Sequence, residues 1–503
     1  MSGFPSGMMV AVLQPCADNQ RTHIEVSVNT MSATQLVPRF LAAAIDACLH
    51  GPKACRGRSL HLLFGCVTLA CTFVDPADVL ASNTYVVTTS GDPGPVGSMS
   101  LREAVAAANG APGVDPSDNI VQFAPNLVGS TITLTGGEIP IAHPLSIVGP
   151  GSDFITISGN DASRIFRIAG VDYAHQVHVN LGGLTLTRGH SDSGGGALLA
   201  YETVLRASDL VITASHAAQG GGMRVDRGSA YIDGARVRDN HATISGGGIE
   251  GYGNDVLGIS HSTISGNSAG NTGGGVFANR TGHLQIAASL ISGNVAAYGS
   301  GTEYSGGGIA VHNPIQCGFI QNSTITGNFA TDGGGGVGIL QHYYQSPSCK
   351  YFTYLVNDTI VGNSTQGGGG NGVTQVGATK AGLISTIVAG NFSPAGDGGL
   401  SGGFIACENL IKAPGSATLI SLGAAYGCHA NLIGVDPLLG PLRDNGGPTL
   451  SMLPDPASPV IDAGENTWPL SDDQRGLPRV GPDDIGAVER QFPEDLIFRD
   501  DFD

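Results

Sequence analysis

The sequence predicts an all-β protein wound as a parallel β-helix, with a short N-terminal capping helix and a C-terminal cap. Glycine clusters begin at Gly194, Gly220, Gly246, Gly273, Gly306, Gly333, Gly367 and Gly398, a recurrence of roughly 30 residues that marks stacked repeats. A second mark keeps pace: "STISGNSA", "SLISGNVA", "STITGNFA" and "DTIVGNST" each join a short β-branched run to a polar turn ahead of the glycines. Composition agrees. There are 78 glycines among 503 residues and only 13% charged residues; the lack of a three-residue glycine period excludes collagen, and 41% hydrophobic residues in strand-like runs disfavour disorder.

The first segment, residues 1–81, reads as a leader. Lys53, Arg56 and Arg58 precede the apolar run "LHLLFGCVTLACTFV", and "VLA" at Val79–Ala81 places small residues at a signal-peptidase site. The run lies deep in the chain, so Met31 is an alternative start. Export fits the cysteines: five of nine fall in the leader, leaving Cys317, Cys349, Cys407 and Cys428, an even number suited to two disulfides.

Residues 82–180 read as a cap and irregular first coils. Within "SMSLREAVAAANGAPG", Ser100 caps a helix whose Leu101, Ala104, Val105 and Ala108 share one face and which ends at Asn109 and Gly110. Such a helix closes the open end of a strand stack.

Residues 181–433 are the regular repeats, with three short strands expected per coil. Equivalent residues then stack at about 4.8 Å. Inward Asn267, Asn294, Asn328, Asn363 and Asn391 form a hydrogen-bonded ladder. The glycine triplets supply corners that need positive φ and close backbone approach. Cys317 and Cys349 occupy comparable segments of neighbouring repeats, within disulfide reach at one coil spacing, and Cys407 with Cys428 closes a local loop.

Residues 434–491, rich in proline and turns, read as the opposite cap, and 492–503 as an acidic tail. The acidic pairs Asp472-Asp473 and Asp483-Asp484 fall in this cap and read as solvated turn residues.

The formal charge of -18 with sparse basic residues argues against nucleic acid or an anionic membrane as partner. No segment beyond the leader is long and apolar enough for a transmembrane helix. No catalytic constellation or metal site is legible. His190, His216 and His241 align in successive repeats but read as turn residues, and Asp226, Asp233 and Asp239 sit at differing offsets, so no cofactor is expected and calcium stays an open alternative. Binding is expected in two insertions, "VAAYGSGTEYS" and "LQHYYQSPSCKYFTY", through Tyr298, Glu303, Tyr304, His342, Tyr343, Tyr344 and Tyr351, because aromatic loops on a rigid scaffold stack on sugars or anchor proteins.

"SMSLREAVAAAN" resembles the N-terminal motif of CSLREA-domain proteins, with Met99 where that motif usually has Cys. "DNGGPTLSMLPDPASPVIDAG", "DQRGLPR" and "DIGAVE" resemble the choice-of-anchor Q domain of exported β-helix proteins. The repeats are more weakly similar to polymorphic outer-membrane proteins, through "GGGI" at Gly306–Ile309 and "ISGN" at Ile264–Asn267. The resemblance implies a right-handed, pectate-lyase-like solenoid at the bacterial surface, outer membrane associated or extracellular. It supplies no reaction. The function expected is adhesin-like interaction or a structural role, with a glycan or protein ligand on a host or environmental surface. The alternative is a polysaccharide-binding or polysaccharide-degrading β-helix enzyme.

Overall fold

The computed structural model describes residues 82–491 apart from 112, 298–304, 342–352, 368–369, 378–380, 422, 424–427 and 465–469. They belong to one compact unit, Ala81–Asp503. The expected leader and tail lie outside the described residues.

The chain is a parallel β-helix. Leu198, Met223, Ile249, Val276, Ile309, Val337, Val373 and Leu400 are successive Cα partners in parallel register, and each is fully buried. Burying such side chains is worth about 1.5–3 kcal/mol apiece, so one continuous apolar column drives the stacking. A coil can carry four strand segments rather than the three expected, as in Val276–Asn279, His283–Ala287, Leu290–Ser292 and the two-residue Val295–Ala296. The fourth is too short to carry a strand pattern in sequence.

Corners follow from backbone geometry. Between the second and third segments a single residue turns the chain in the left-handed region, as at Ala288 (φ 48°) and Asn322 (φ 48°). At the glycine corner the three residues have separate reasons. Gly273 adopts φ 64°, where a Cβ is costly. A Cβ on Gly274 would stand 2.4 Å from the Gly307 carbonyl oxygen of the next coil, and one on Gly275 would stand 2.7 Å from that of Gly308.

Asparagines join the coils. Asn267 donates from both N and Nδ2 to Asn294 Oδ1, each at 3.0 Å, and the same pairing runs through Asn328, Asn363 and Asn391. Asn240 extends this ladder one rung toward the N-terminus. A second ladder occupies the preceding corner, where backbone N–H groups donate along Ser262, Ser289, Ser323, Asp358, Thr386, Asn409 and Asn431. Burial pushes the Asp358 carboxyl well up from its usual range despite the N–H donors of Ser323 and Val356.

The N-terminal helix α1 spans Leu101–Gly110, with Ser100 and Glu103 forming a capping box and Leu101, Ala104, Val105 and Ala108 buried. Met99 packs partly buried against the same core. Arg102 is held by Asp92 through two hydrogen bonds of 2.7 and 2.8 Å.

The C-terminal region does more than end the stack: it returns along the outside of the third-segment sheet. Val460 and Ile485 cover the outward side chains Val361, Ile387, Ala389 and Leu410 in a satellite core. Thr449 donates to the Ala288 carbonyl at 3.4 Å, Asn322 to that of Asp472 at 2.7 Å, and Ala487 N–H to Thr359 Oγ1 at 3.1 Å. The expectation that its acidic pairs are solvated turns is corrected for three of the four residues. Asp473, Asp483 and Asp484 are buried, because Asp473 pairs with Arg475 at 2.7 Å and Asp484 accepts the N–H groups of Asp462 and Arg490.

Candidate functional site

Alternation along the second segment sets the outer wall: Leu205 and Ala207 point inward, so Arg206 and Ser208 point out. In the next coil Tyr231 is the partner of Arg206 and Asp233 that of Ser208. These residues line an open groove of about 710 Å³ with Ser146, Asn180 and the glycines Gly149, Gly151, Gly182 and Gly183. The Arg206 guanidinium lies 5.0 Å from the Tyr231 ring centroid, a favourable cation–π distance. Among the described residues no carboxylate pairs with Arg206. Val148 and Phe154, at the groove's N-terminal side, are 49% and 52% exposed.

Polar residues fix one border. Asp209 accepts from Ser152 N at 3.0 Å and Ser152 Oγ at 2.6 Å. Arg236 donates to Ser152 Oγ at 3.0 Å and to Asp153 at 2.6 Å. Beyond them a smaller cavity of about 290 Å³ is lined by Ser152, Asp153, Thr185, Arg236 and Arg238. At the other border Asp233 accepts from Ser260 Oγ and from His261 Nδ1, both at 2.7 Å. Burial pushes the Asp233 carboxyl up, but His261 and Ser260 together bring it below its ordinary range.

A charged cluster lies on the neighbouring first-segment face. Arg227 sits 4.5 Å from the Tyr201 ring centroid and Arg224 5.9 Å from that of Tyr252. Asp226 pairs with Arg224 at 3.1 Å and Arg227 at 3.6 Å, and Glu202 pairs with Arg227 at 3.3 Å. Glu250 is fully buried. Burial raises its carboxyl to about 7, against the lowering effect of the hydrogen bond from Ser245. This cluster largely neutralises itself, and Glu250 is closed to any ligand.

The insertion residues expected to bind, Tyr298, Glu303, Tyr304, His342, Tyr343, Tyr344 and Tyr351, lie outside the described residues. Cys317 is disulfide-bonded, while Cys349 lies outside. Cys407 and Cys428 are bonded at 2.04 Å. His190, His216 and His241 are in register, with the rings of His216 and His241 at 5.8 Å, and His241 Nδ1 meets Ser268 Oγ at 2.8 Å. Among the described residues no group of three or more His, Cys, Asp or Glu is arranged to hold a metal ion. Sequence reasoning missed the groove. Its signal was the outward Arg of "VLRASD" and the outward Tyr of "AYID" at equivalent repeat positions.

No family model matches the chain, so the CSLREA and choice-of-anchor Q resemblances rest on their motifs alone. No curated protein matches it either. Among solved structures the chain is similar to the pectate lyase Pel9A, with 13% identity, a TM-score of 0.42, and coverage of 82% of this chain and 97% of that one. It is also similar to tailspike protein 3 of bacteriophage CBA120, with 12% identity, a TM-score of 0.28, and coverage of 67% and 59%.

Proposed function

We propose that the protein is an exported surface or extracellular β-helix that binds a glycan on its outer wall. The observation that carries this reading is the groove at Arg206 and Tyr231: a volume suited to a small ligand, a floor of glycine backbone, exposed apolar surface, and a guanidinium with no paired carboxylate among the described residues. Sugars need that combination of ring faces and forked donors. The free cation favours a glycan bearing carboxylate or sulfate groups. A glycan array probed with the exported chain tests the reading: wild type is retained on acidic glycans, and the Arg206→Ala, Tyr231→Ala double variant is not. Equal retention of both proteins would refute it.

The Asp233–His261 pair supports a second reading, cleavage of the bound chain. A carboxylate on Nδ1 orients an imidazole and leaves Nε2 for proton transfer. Release of new reducing or unsaturated ends by wild type, and not by His261→Ala, is what cleavage requires.

A further inference from the structure

Past the groove the strand register of the same wall continues. Arg206, Tyr231, Gly258, Gln285, Phe319 and Tyr354 are successive Cα partners in one outward column. It holds neither carboxylate nor lysine, only side chains that stack on sugars or bond to hydroxyls, plus one glycine.

That glycine is unlike those of the corners. A Cβ on Gly258 would meet only Tyr231 Cδ1 at 3.6 Å and the Ala230 carbonyl at 3.7 Å, and its φ is not in the left-handed region. Neither the backbone nor close packing demands glycine there. What its missing side chain does is leave a gap in the column beside Tyr231, whose ring has Arg206 within cation–π distance in the preceding coil. Beyond Gln285, which is exposed, the rings of Phe319 and Tyr354 stack at 5.3 Å and 10°. From Arg206 to Tyr354 the column covers five coil steps, about 24 Å at about 4.8 Å per step.

We propose that this column is a single track for one linear acidic glycan running parallel to the solenoid axis, with a sugar ring seated over Gly258 against Tyr231. The inference rests on the glycan-binding reading and adds the ligand's direction, its extended form and Gly258 as the residue that admits it. A compact ligand would need only the groove; an extended chain uses the rings further along.

The test is isothermal titration of the exported chain with size-fractionated oligomers of a uronic acid, using Gly258→Gln, Phe319→Ala and Arg206→Ala. Gly258→Gln has room to fold, and circular dichroism with thermal unfolding checks that it does. On the track, affinity rises with oligomer length, Gly258→Gln weakens every oligomer by roughly two- to tenfold, the equivalent of one lost ring contact, and Phe319→Ala weakens only the longer ones. If short and long oligomers bind alike and only Arg206→Ala matters, the track is wrong and the groove stands. If wild type binds no oligomer, both readings of an acidic-glycan site fall.

Discussion

Thr324 and Gln474 stand 150 residues apart in sequence and share a buried hydrogen bond of 2.6 Å, Thr324 Oγ1 donating to Gln474 Oε1. The carboxamide also donates to Thr449 Oγ1 at 3.0 Å and to the Leu450 carbonyl at 3.1 Å. One side chain thus joins the solenoid wall to two turns of the C-terminal region.

Gln474→Ala strips these partners at once. Leaving buried polar groups unpaired costs about 1–3 kcal/mol each, and the loss falls on docking of the C-terminal region. Limited proteolysis is expected to cut within 434–491 before the repeats, with the coils still resistant. Unchanged cleavage in the variant would show that apolar packing around Val460 and Ile485 suffices.

Asn328→Ala interrupts the amide ladder in mid-stack. Asn294 loses the acceptor for its N and Nδ2, at 2.9 and 3.0 Å, and the Ile291 carbonyl loses its donor. Denaturant unfolding is expected to show a loss of about 2–4 kcal/mol, on the scale of more than one unmade buried hydrogen bond. A change within about 0.5 kcal/mol, the range of ordinary surface substitutions, would mean that the ladder is decorative.

Gly274→Ala meets backbone rather than space. Besides the Gly307 oxygen, its Cβ would lie 2.6 Å from Val295 N and C, so neighbouring coils must part. The expected outcome is failure to accumulate as folded protein, or a fall in melting temperature far larger than that of Gly258→Ala, whose nearest contact is 3.6 Å. Equal melting temperatures for the two variants would contradict the close approach.

Glu250 makes stability depend on pH. In the folded protein its carboxyl titrates at about 7, against an ordinary 4.5. Between those values the folded chain holds a proton that the unfolded chain has released, so this group's contribution falls as pH rises through the window and is flat above it. Asp92 acts in the opposite sense and in another window: burial raises its carboxyl, but Arg102, Thr135 and Gly136 hold it below 3.8, so its contribution is lost only as pH falls through that lower range. Denaturant midpoints at pH 5 and 8 are therefore expected to differ less in Glu250→Gln than in wild type. The same difference in both proteins would place the pH dependence elsewhere.

What the sequence reveals depends on how each feature repeats. Asn267 to Asn391 and the glycine triplets are legible because one residue type returns at one place in every coil. The second ladder is not, since Ser262, Asp358, Thr386 and Asn409 do the same work with four chemistries. Asn240 escaped because Asp239, not glycine, precedes it. Helix α1 was legible to its last residue, as its cap and its buried face are both local. The groove was not: Arg206, Tyr231 and Asp209 come from separate strands and turns in the least regular coils, and only the register brings them together. The burial of Asp473 and Asp484 was hidden for the same reason, because their partners are set by folding the C-terminal region on itself and onto Asn322 and Thr359.

The returning C-terminal region also bears on how such a protein can change its length. The Asn ladder treats the coils from Asn240 to Asn391 alike, so by its bonds alone a duplicated coil could splice in wherever one rung hands over to the next. The bonds at Ala288, Thr324 and Thr359 forbid this over their own span, since an extra rung would shift each anchor away from Thr449, Gln474 and Ala487. Growth by duplication is therefore barred between Ala288 and Thr359, and the bonds from Arg236 back to Ser152 and Asp153 bar it among the groove coils as well, so the coil number is fixed wherever a side chain reaches across several turns.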